Sequence, residues 1–265
     1  MRDIAVVVSN DNESITPIET IDAIKAAGFK NVFIQWYNAK WDHSQEEQLN
    51  YIKRLGLDVL FAHLGYQNIN SIWRGTAEGE ELVTRYKNDI SICKQNGIPM
   101  VVMHLASHSE VQMYSDIGLK RLKRIVNFAK DLGIRVAFEN TKVESYLNYV
   151  MDNIKDDNAG VCFDSGHYHA FNGELDFGKY KNRIFAVHLH DNDGEHDIHQ
   201  IPFDGTADWE SIVKKLKEAN YKGPITLEIR YAEGYIKSNP LAFYKKGYKA
   251  AKKIAKMFEI DKSNF

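Results

Sequence analysis

Five histidines and four acidic residues of this chain stand at or just after the ends of short apolar segments. The segments read VLFAHLG, VVMHLAS, VAFENT, VCFDSGH, FAVHLHDNDGEHDIH and ITLEIR. Imidazole nitrogens and carboxylate oxygens are the ligands that zinc, manganese and similar divalent ions take in proteins. A metal site is therefore expected if the ends of these segments meet in space. The nine residues are His63, His104, Glu139, Asp164, His167, His188, Asp197, His199 and Glu228.

Eight apolar segments alternate with helix-like stretches along the 265 residues. Their near-continuous Val, Ile and Phe content is typical of strands that are buried on both faces in a parallel sheet. Eight such units in a chain of this length predict an α/β protein with a (β/α)8 barrel, and an open doubly wound sheet is the alternative. The first loop, in VVVSNDNES, lacks the glycines of a phosphate-binding turn, which disfavours a dinucleotide-binding fold. The predicted strands are Ile4–Val8, Val32–Trp36, Val59–Leu64, Met100–Leu105, Val136–Phe138, Val161–Phe163, Ile184–Leu189 and Ile225–Ile229.

Four predicted helices are each followed by a glycine, which adopts the left-handed conformation that closes a helix. Further helices are predicted over Asp208–Ala219 and Leu241–Phe258, and the irregular segment His169–Asn182 is predicted to hold only a short one. The sequence shows no linker, repeat or low-complexity segment, so one domain is expected over residues 1–265. The four helices are Pro17–Ala27, Gln45–Leu55, Glu80–Asn96 and Gly118–Leu132.

The composition, with 44% hydrophobic and 26% charged residues, suits a soluble globular protein that has a sizeable core. The net charge of −2 gives no overall attraction to nucleic acid or to anionic membranes. No apolar run is long enough to span a membrane, and the N-terminal MRDIAVVVSNDN is interpreted as a first strand rather than a signal peptide. Cys93 and Cys162 fall in a helical stretch and an apolar strand, so no disulfide is expected and a cytoplasmic location is favoured.

The barrel hypothesis places chemistry at the carboxyl ends of the strands. Glu228 lies inside the apolar run ITLEIR, where a buried glutamate without a cation or a metal would lose its charge. Asp164 and His167 form a D-x-x-H pattern where the sixth strand ends. In AVHLHD, alternation puts His188 and His190 on one face, and His188 is the better ligand because it lies nearer the strand.

Aromatic residues gather in the loops that follow the second and third strands. Trp36, Tyr37 and Trp41 follow the second strand, and Trp73 follows the third. Flat aromatic faces suit sugar rings or nucleobases, although simple loop packing explains them equally well. The candidates for substrate binding are Trp36, Trp73, His190 and Arg230, of which Arg230 is placed to meet a phosphate group.

These motifs resemble the xylose isomerase-like TIM-barrel superfamily, which includes small-sugar isomerases and epimerases and also endonuclease IV (AP endonuclease family 2). The resemblance runs from about His63 to Glu228, and the strand count extends it over the whole chain. In the sugar epimerases it implies one metal ion held by four side chains, two of which also transfer protons. Glu139 and Glu228 would be those proton-transfer groups, and His167 is expected to hydrogen-bond a substrate oxygen. The four implied ligands are Glu139, Asp164, His188 and Glu228.

The resemblance to endonuclease IV implies three zinc ions and all nine of the histidines and acidic residues named above. Several departures weaken this alternative. Gly166 stands where the endonuclease has a cysteine, the spacing from His188 to Asp197 is shorter, and HLGYQNIN matches the DNA-penetrating motif only in part. The chain also has no evident basic stripe for a phosphate backbone. These differences favour the sugar enzymes.

The expected function is therefore a divalent-metal-dependent isomerase or epimerase of a sugar or sugar phosphate. Proton transfer would pass through a metal-stabilised enediolate. The alternative is an endonuclease IV-like multi-zinc phosphodiesterase acting on abasic DNA, and a lyase, a dehydratase or a binding protein on the same barrel stays open. The expected cofactor is one Zn, Mn, Co or Mg ion, with up to three under the alternative. The expected partner is a small-molecule sugar, with nucleic acid only under the alternative and no membrane, and a homo-oligomer stays open.

Overall fold

Eight strands form the centre of the structure, a computed structural model that describes residues 2–9, 15–36, 43–107, 113–171, 173–231 and 239–260. Each predicted apolar segment forms one of these strands, with bounds that differ by a few residues at most. The strands are β1 (Ile4–Val8), β2 (Asn31–Gln35), β3 (Asp58–His63), β4 (Met100–Met103), β5 (Arg135–Glu139), β6 (Ala159–Asp164), β7 (Ile184–His188) and β8 (Ile225–Leu227).

The strands lie in the order β7-β6-β5-β4-β3-β2-β1-β8, and the paired strands are parallel. The two edge strands also meet, because Leu189, just past β7, pairs in parallel with Leu227 of β8. The amide of Leu189 donates to the carbonyl of Thr226 at 2.9 Å, and the amide of Glu228 donates to the carbonyl of Leu189 at 3.2 Å. This join nearly closes the sheet, so the predicted (β/α)8 barrel is confirmed and the open-sheet alternative is wrong.

Helices connect the strands, as the alternating pattern predicts. A short 3-10 helix, Ile69–Trp73, lies between β3 and the third helix. Helix α5 was not predicted, and α6 begins earlier than the irregular segment in which a short helix was expected. The helices are α1 (Pro17–Ala27), α2 (His43–Arg54), α3 (Ala77–Gln95), α4 (Asp116–Asp131), α5 (Glu144–Asn153), α6 (Ser165–Ala170), α7 (Trp209–Glu218) and α8 (Pro240–Glu259). None of them is both long enough and apolar enough to cross a bilayer.

Local sequence explains where the helices begin and end. At the start of α1, Thr16 and Glu19 hydrogen-bond to each other's backbone amides, which satisfies donors that the first turn leaves unpaired. The four glycines that follow the predicted helices all have positive φ, as expected of residues that close a helix. They are Gly28 (103°), Gly56 (65°), Gly97 (74°) and Gly133 (71°).

The strands are buried on both faces, which explains their near-continuous apolar sequences. One cluster, with Phe33, Phe61 and Val102 among its members, fills the inside of the barrel. A larger cluster lies between the strands and the helices. Cys93 and Cys162 are both buried and free, so no disulfide forms, as expected.

Candidate metal centre

Four of the predicted ligands meet at one rim of the barrel. Glu139, Asp164 and His188 are the last residues of β5, β6 and β7, and Glu228 directly follows β8. Because parallel strands end at the same rim, their terminal side chains converge. One ligand atom from each of the four lies within 4.8 Å of the others, and all four residues are buried.

His188 is the centre of this group. Its Nδ1 lies 3.1 Å from Oε2 of Glu228, 3.4 Å from Oε2 of Glu139 and 3.9 Å from Oδ2 of Asp164. The imidazole stacks on Phe33 below it, with ring centroids 5.1 Å apart. No residue in the described part of the chain forms a hydrogen bond with Nδ1.

This arrangement fits a divalent cation. Three buried carboxylates converge beside one imidazole, and burying such charge is costly unless it is paired or bound to a metal. Carboxylate oxygens and an imidazole nitrogen also form a mixed donor set that suits zinc, manganese, cobalt or magnesium.

The carboxylates have further partners that fix their orientation. Oε1 of Glu228 accepts a hydrogen bond of 2.6 Å from Nε2 of Gln35. Oδ1 of Asp164 accepts one of 2.6 Å from the backbone amide of His167, and Nε2 of His190 lies 3.1 Å from Oδ2 of Asp164. Such outer contacts orient metal ligands and tune their basicity.

A second group lies beside the first, centred on Asp197. Oδ2 of this residue lies 3.3 Å from Nε2 of His167 and 3.4 Å from Nε2 of His199. The Nδ1 atoms of both rings donate to backbone carbonyls, of Asn140 at 2.9 Å and of Glu228 at 2.8 Å. Since a carbonyl only accepts, each Nδ1 carries a proton and each Nε2 faces the site, as in many metal-binding histidines.

On the opposite side, two histidines contact Glu139. Oε2 of Glu139 lies 2.9 Å from Nε2 of His63 and 3.3 Å from Nε2 of His104. Nδ1 of His63 donates to the carbonyl of Leu64 at 3.1 Å, so this ring also directs Nε2 inwards. All nine residues that the sequence singles out therefore assemble at one rim of the barrel.

The electrostatics of the site keep its two glutamates ionised. Burial alone would raise the pKa of Glu139, but the imidazoles of His188 and His104 hold that pKa well below its usual range. Burial would likewise raise the pKa of Glu228, yet His188 and His199 keep it low. Ionised carboxylates are the form that both a metal ligand and a general base require.

A cavity of about 270 Å³ opens above this group and leads to the surface. Asp164 and His188 lie beneath its floor, whereas the other seven predicted ligands line it. Arg230, predicted to contact substrate, also lines it. The wall comprises Gln35, His63, Tyr66, His104, Ser107, Glu139, His167, Asp197, His199, Glu228 and Arg230.

The structure does not bring the other three substrate-binding candidates to this cavity. Trp36 is buried beside a separate small cavity, and Trp73 is buried with its indole nitrogen donating to the carbonyl of Leu105 at 2.7 Å. His190 is fully buried and stacks on His199, with centroids 4.0 Å apart. Their contact with substrate therefore stays a prediction without support from this geometry. Tyr37 and Trp41 lie outside the described residues.

Sequence reasoning missed three residues of the site. Gln35 ends β2 as a polar residue, so the rule that selected the other strand ends applied to it as well. Asn140 hydrogen-bonds to the backbone at the end of β6. Its side chain accepts from the amide of Asp164 at 2.7 Å and donates to the carbonyl of the same residue at 3.0 Å. Tyr66 stacks on His104 at the mouth, with centroids 4.3 Å apart, and no sequence signal distinguished it.

Gly166 has a steric role in this site. A Cβ atom on it would lie 1.8 Å from Cε1 of His190, closer than any two such atoms approach. The space next to Asp164 is therefore filled by the ring of His190. This contact explains why a cysteine, as in endonuclease IV, does not fit at position 166 of this chain.

Comparison with known proteins agrees with this architecture. An inosose isomerase of Halalkalibacterium halodurans is 26% identical over 219 residues, which cover 73% of this chain and 74% of the relative. An uncharacterised protein of Sinorhizobium fredii is 27% identical over 188 residues, and the match spans only 59% of its length.

Solved structures share the fold at low identity. The IOLI protein, solved with a zinc atom, superposes with a TM-score of 0.77 at 17% identity and covers 98% of this chain and 100% of its own. An L-ribulose 3-epimerase has a TM-score of 0.73 at 18% identity, with coverage of 99% and 100%. The sequence model of the xylose isomerase-like TIM barrel matches residues 21–254. That match covers the barrel except for its two ends, and the acidic and histidine residues described above share one rim of this barrel. The chain therefore belongs to the xylose isomerase-like TIM-barrel family.

Proposed function

We propose that this chain is a divalent-metal-dependent isomerase or epimerase of a small sugar or a related polyol. The observation that carries the proposal is the cluster of Glu139, Asp164, His188 and Glu228 beneath a cavity of about 270 Å³. A cavity of this size suits a single sugar unit. The names of several relatives, which are isomerases and epimerases of small polyols and sugars, point the same way.

The cluster of four residues would hold the ion. A divalent ion bound there would supply Lewis acidity toward adjacent carbonyl and hydroxyl oxygens of the substrate. The carboxylates of Glu139 and Glu228 both reach the same point beside His188, at 3.4 and 3.1 Å from its Nδ1. This proximity supports the proposal that the two glutamates act on one reacting centre.

Proton transfer follows from this placement. One ionised glutamate takes the proton from the carbon next to the substrate carbonyl, and the electrons of that C–H bond become the C=C bond of an enediolate. In an isomerisation the same glutamate then returns that proton to the neighbouring carbon, whereas in an epimerisation the other glutamate first takes up a proton from solvent and delivers it to the opposite face. His167 would hydrogen-bond a substrate oxygen, a role that its position in the cavity wall supports.

Glutamine substitutions test this mechanism. Glu139→Gln and Glu228→Gln each remove one proton-transfer group, so turnover should fall by about 10²–10⁴-fold, the contribution typical of general acid–base catalysis. The assay is conversion of a panel of ketoses, inososes and their phosphates, together with deuterium uptake from solvent at the reacting carbon. The exposed Glu218→Gln is the matched control and should keep full activity. Near-normal turnover in both site variants, with circular dichroism unchanged, would contradict the proposal.

A second candidate is a multi-zinc phosphodiesterase acting on abasic DNA. The observation in its favour is that His63, His104, Asp197 and His199 also face the site, which offers more ligands than one ion needs. Metal content per chain, measured on protein purified without chelator, separates the two. About one ion and no incision of an abasic oligonucleotide support the isomerase, whereas two or three zinc ions with incision support the phosphodiesterase.

A further inference from the structure

The carboxylate of Asp191 is fully buried and does not line the cavity, and its hydrogen bonds go to none of the nine predicted ligands. Its four hydrogen bonds all come from uncharged N–H groups. Oδ1 accepts from the amides of Asn192 at 2.9 Å and Ala207 at 3.0 Å. Oδ2 accepts from the amide of Phe203 at 2.9 Å and from the indole nitrogen of Trp209 at 2.7 Å.

These donors come from both ends of one loop. The β7–α7 loop, residues 189–208, leaves the barrel after His188 and returns at Trp209, the first residue of α7. The backbone of Asp191 also pairs with Gln200 through two hydrogen bonds of 2.8 Å. Asp191 thus ties the outgoing part of the loop to its middle and to its end.

The segment enclosed by these bonds carries two of the three residues of the second group of the site, and the third, His167, belongs to α6. Asp197 and His199 lie between Asp191 and the donors Phe203 and Ala207 along the chain. His199 (φ 49°) and Phe203 (φ 75°) both have left-handed backbone conformations, which residues with a Cβ atom rarely adopt. Such conformations persist only where surrounding contacts impose them.

We propose that Asp191 is a positioning residue that holds the β7–α7 loop in the shape that directs Asp197 and His199 into the cavity. It acts through backbone amides rather than through substrate or a ligand atom. A charged acceptor suits this task because a carboxylate accepts all four N–H bonds at once, and bonds to an ionised acceptor are stronger than those to a neutral one. The consequence for substrate binding rests on the proposed function.

The isosteric variant Asp191→Asn tests the proposal. An asparagine has one acceptor oxygen, and its amide group would face two N–H donors, so at least two of the four bonds are lost. In metal-free protein we expect amide hydrogen exchange to become at least 10-fold faster in the β7–α7 loop while the β-strands stay protected. In the active enzyme, we expect KM to rise at least 10-fold with a smaller change in kcat, because Asp197 and His199 line the cavity.

The matched control is Asp193→Asn in the same loop. That carboxylate is half exposed and caps only a local turn, through the amides of Glu195 and His196. Its effect on exchange should stay within this turn, and KM should not change. Trp209→Phe provides a milder second variant, since it removes one donor to Asp191 and keeps an aromatic ring.

The outcomes are distinguishable. Unchanged loop exchange in Asp191→Asn, or faster exchange spread evenly over the barrel, would overturn the positioning role. If Asp191→Asn does not fold, amide exchange in Trp209→Phe tests the positioning role instead, and the same outcomes support or overturn it. Faster exchange confined to the β7–α7 loop, with an unchanged KM, would overturn the proposed effect of Asp191 on substrate binding. If the wild-type chain turns over no sugar, the proposed function fails while the exchange experiment still decides the role of Asp191.

Discussion

The surroundings of a buried carboxylate differ between the barrel rim and helix α3. At the barrel rim, Glu139 and Glu228 contact imidazoles that stabilise their ionised forms. On the buried face of α3, Asp89 has only Arg85, one turn away, to offset its desolvation. Burial therefore dominates there and raises the pKa of Asp89 to about 7. A carboxylate is therefore ionised in the site, whereas the carboxylate of Asp89 on α3 is about half protonated near pH 7.

Asp89 makes the stability of the fold depend on pH. Its folded pKa of about 7 lies above the value of an unfolded aspartate, so the folded state binds more protons between about pH 4 and pH 7. The free energy of unfolding should therefore fall as pH rises through this window and level off above it. Asp89→Asn should remove that loss, and its stability advantage over wild type should grow by about 2–3 kcal/mol between pH 5 and pH 8.

Urea denaturation at the two pH values measures this difference. Asp58→Asn, the same substitution at an exposed position, is the control. An advantage of Asp89→Asn that is the same at pH 5 and pH 8 would mean that Asp89 is solvated in the folded state.

The position of some candidate residues at the barrel rim could be predicted because they interrupt apolar segments, where burying a polar or charged side chain is costly. Glu228 inside ITLEIR and His188 inside FAVHLH are such interruptions. Whether Trp73 lies in the core or at the surface could not be predicted, because the sequence of its loop has no periodicity that distinguishes the two. The close approach of His190 to Gly166 is likewise a tertiary contact that neither local sequence reveals.

Helix ends in this barrel depend on backbone conformation more than on packing. Gly97 follows α3 with a φ of 74°, and a Cβ atom on it would meet nothing within 4 Å. Any cost of adding a methyl group there must therefore come from the left-handed conformation itself. Position 97 thus isolates the backbone contribution to helix termination.

Gly97→Ala should lower the free energy of unfolding by about 1–2 kcal/mol, the cost of a left-handed conformation for a residue with a Cβ atom. Gly75→Ala is the matched control, because Gly75 also has open space around it but no positive φ. Chemical denaturation of both variants gives the comparison. Equal effects at the two positions would show that the helix end relaxes at little cost.

Most elements could be predicted because a parallel barrel buries its strands on both faces and repeats one unit eight times. The four helices that end before a glycine could also be predicted, because a glycine that closes a helix is a signal in the local sequence. Helix α5 was missed, since ESYLNYVMDN is short and starts without a side-chain cap. β4 and β8 were predicted too long, because the apolar residues Leu105 and Ile229 lie just beyond the ends of these strands.

The proposed metal site joins strands that are far apart in the sequence. Its four residues come from β5, β6, β7 and the end of β8, so an ion bound there would link half of the barrel. An ion that binds only the folded chain raises its stability, by about 2.7 kcal/mol at a concentration of 100 times Kd.

Thermal unfolding should therefore respond to metal. Adding zinc or manganese to chelator-treated protein is expected to raise the Tm by about 5–10 °C, given about 2–4 °C per kcal/mol for a chain of roughly this size. The variant His188→Gln should lose most of this increase, whereas His196→Gln, a change in an exposed histidine, should keep it. A Tm that is indifferent to metal in the wild-type chain would count against the four-residue site.

The join between β7 and β8 is short, and two of the four residues flank it. The bridge that closes the barrel pairs Leu189 with Leu227. His188 directly precedes Leu189, and Glu228 directly follows Leu227. As a chain is synthesised from its N-terminus, Glu228 is the last of the four to emerge. The centre can be completed only when the final strand docks, so an unfinished or partly opened barrel would hold an incomplete set of ligands. Metal binding at the proposed site would then report that β8 has docked and that the barrel has closed.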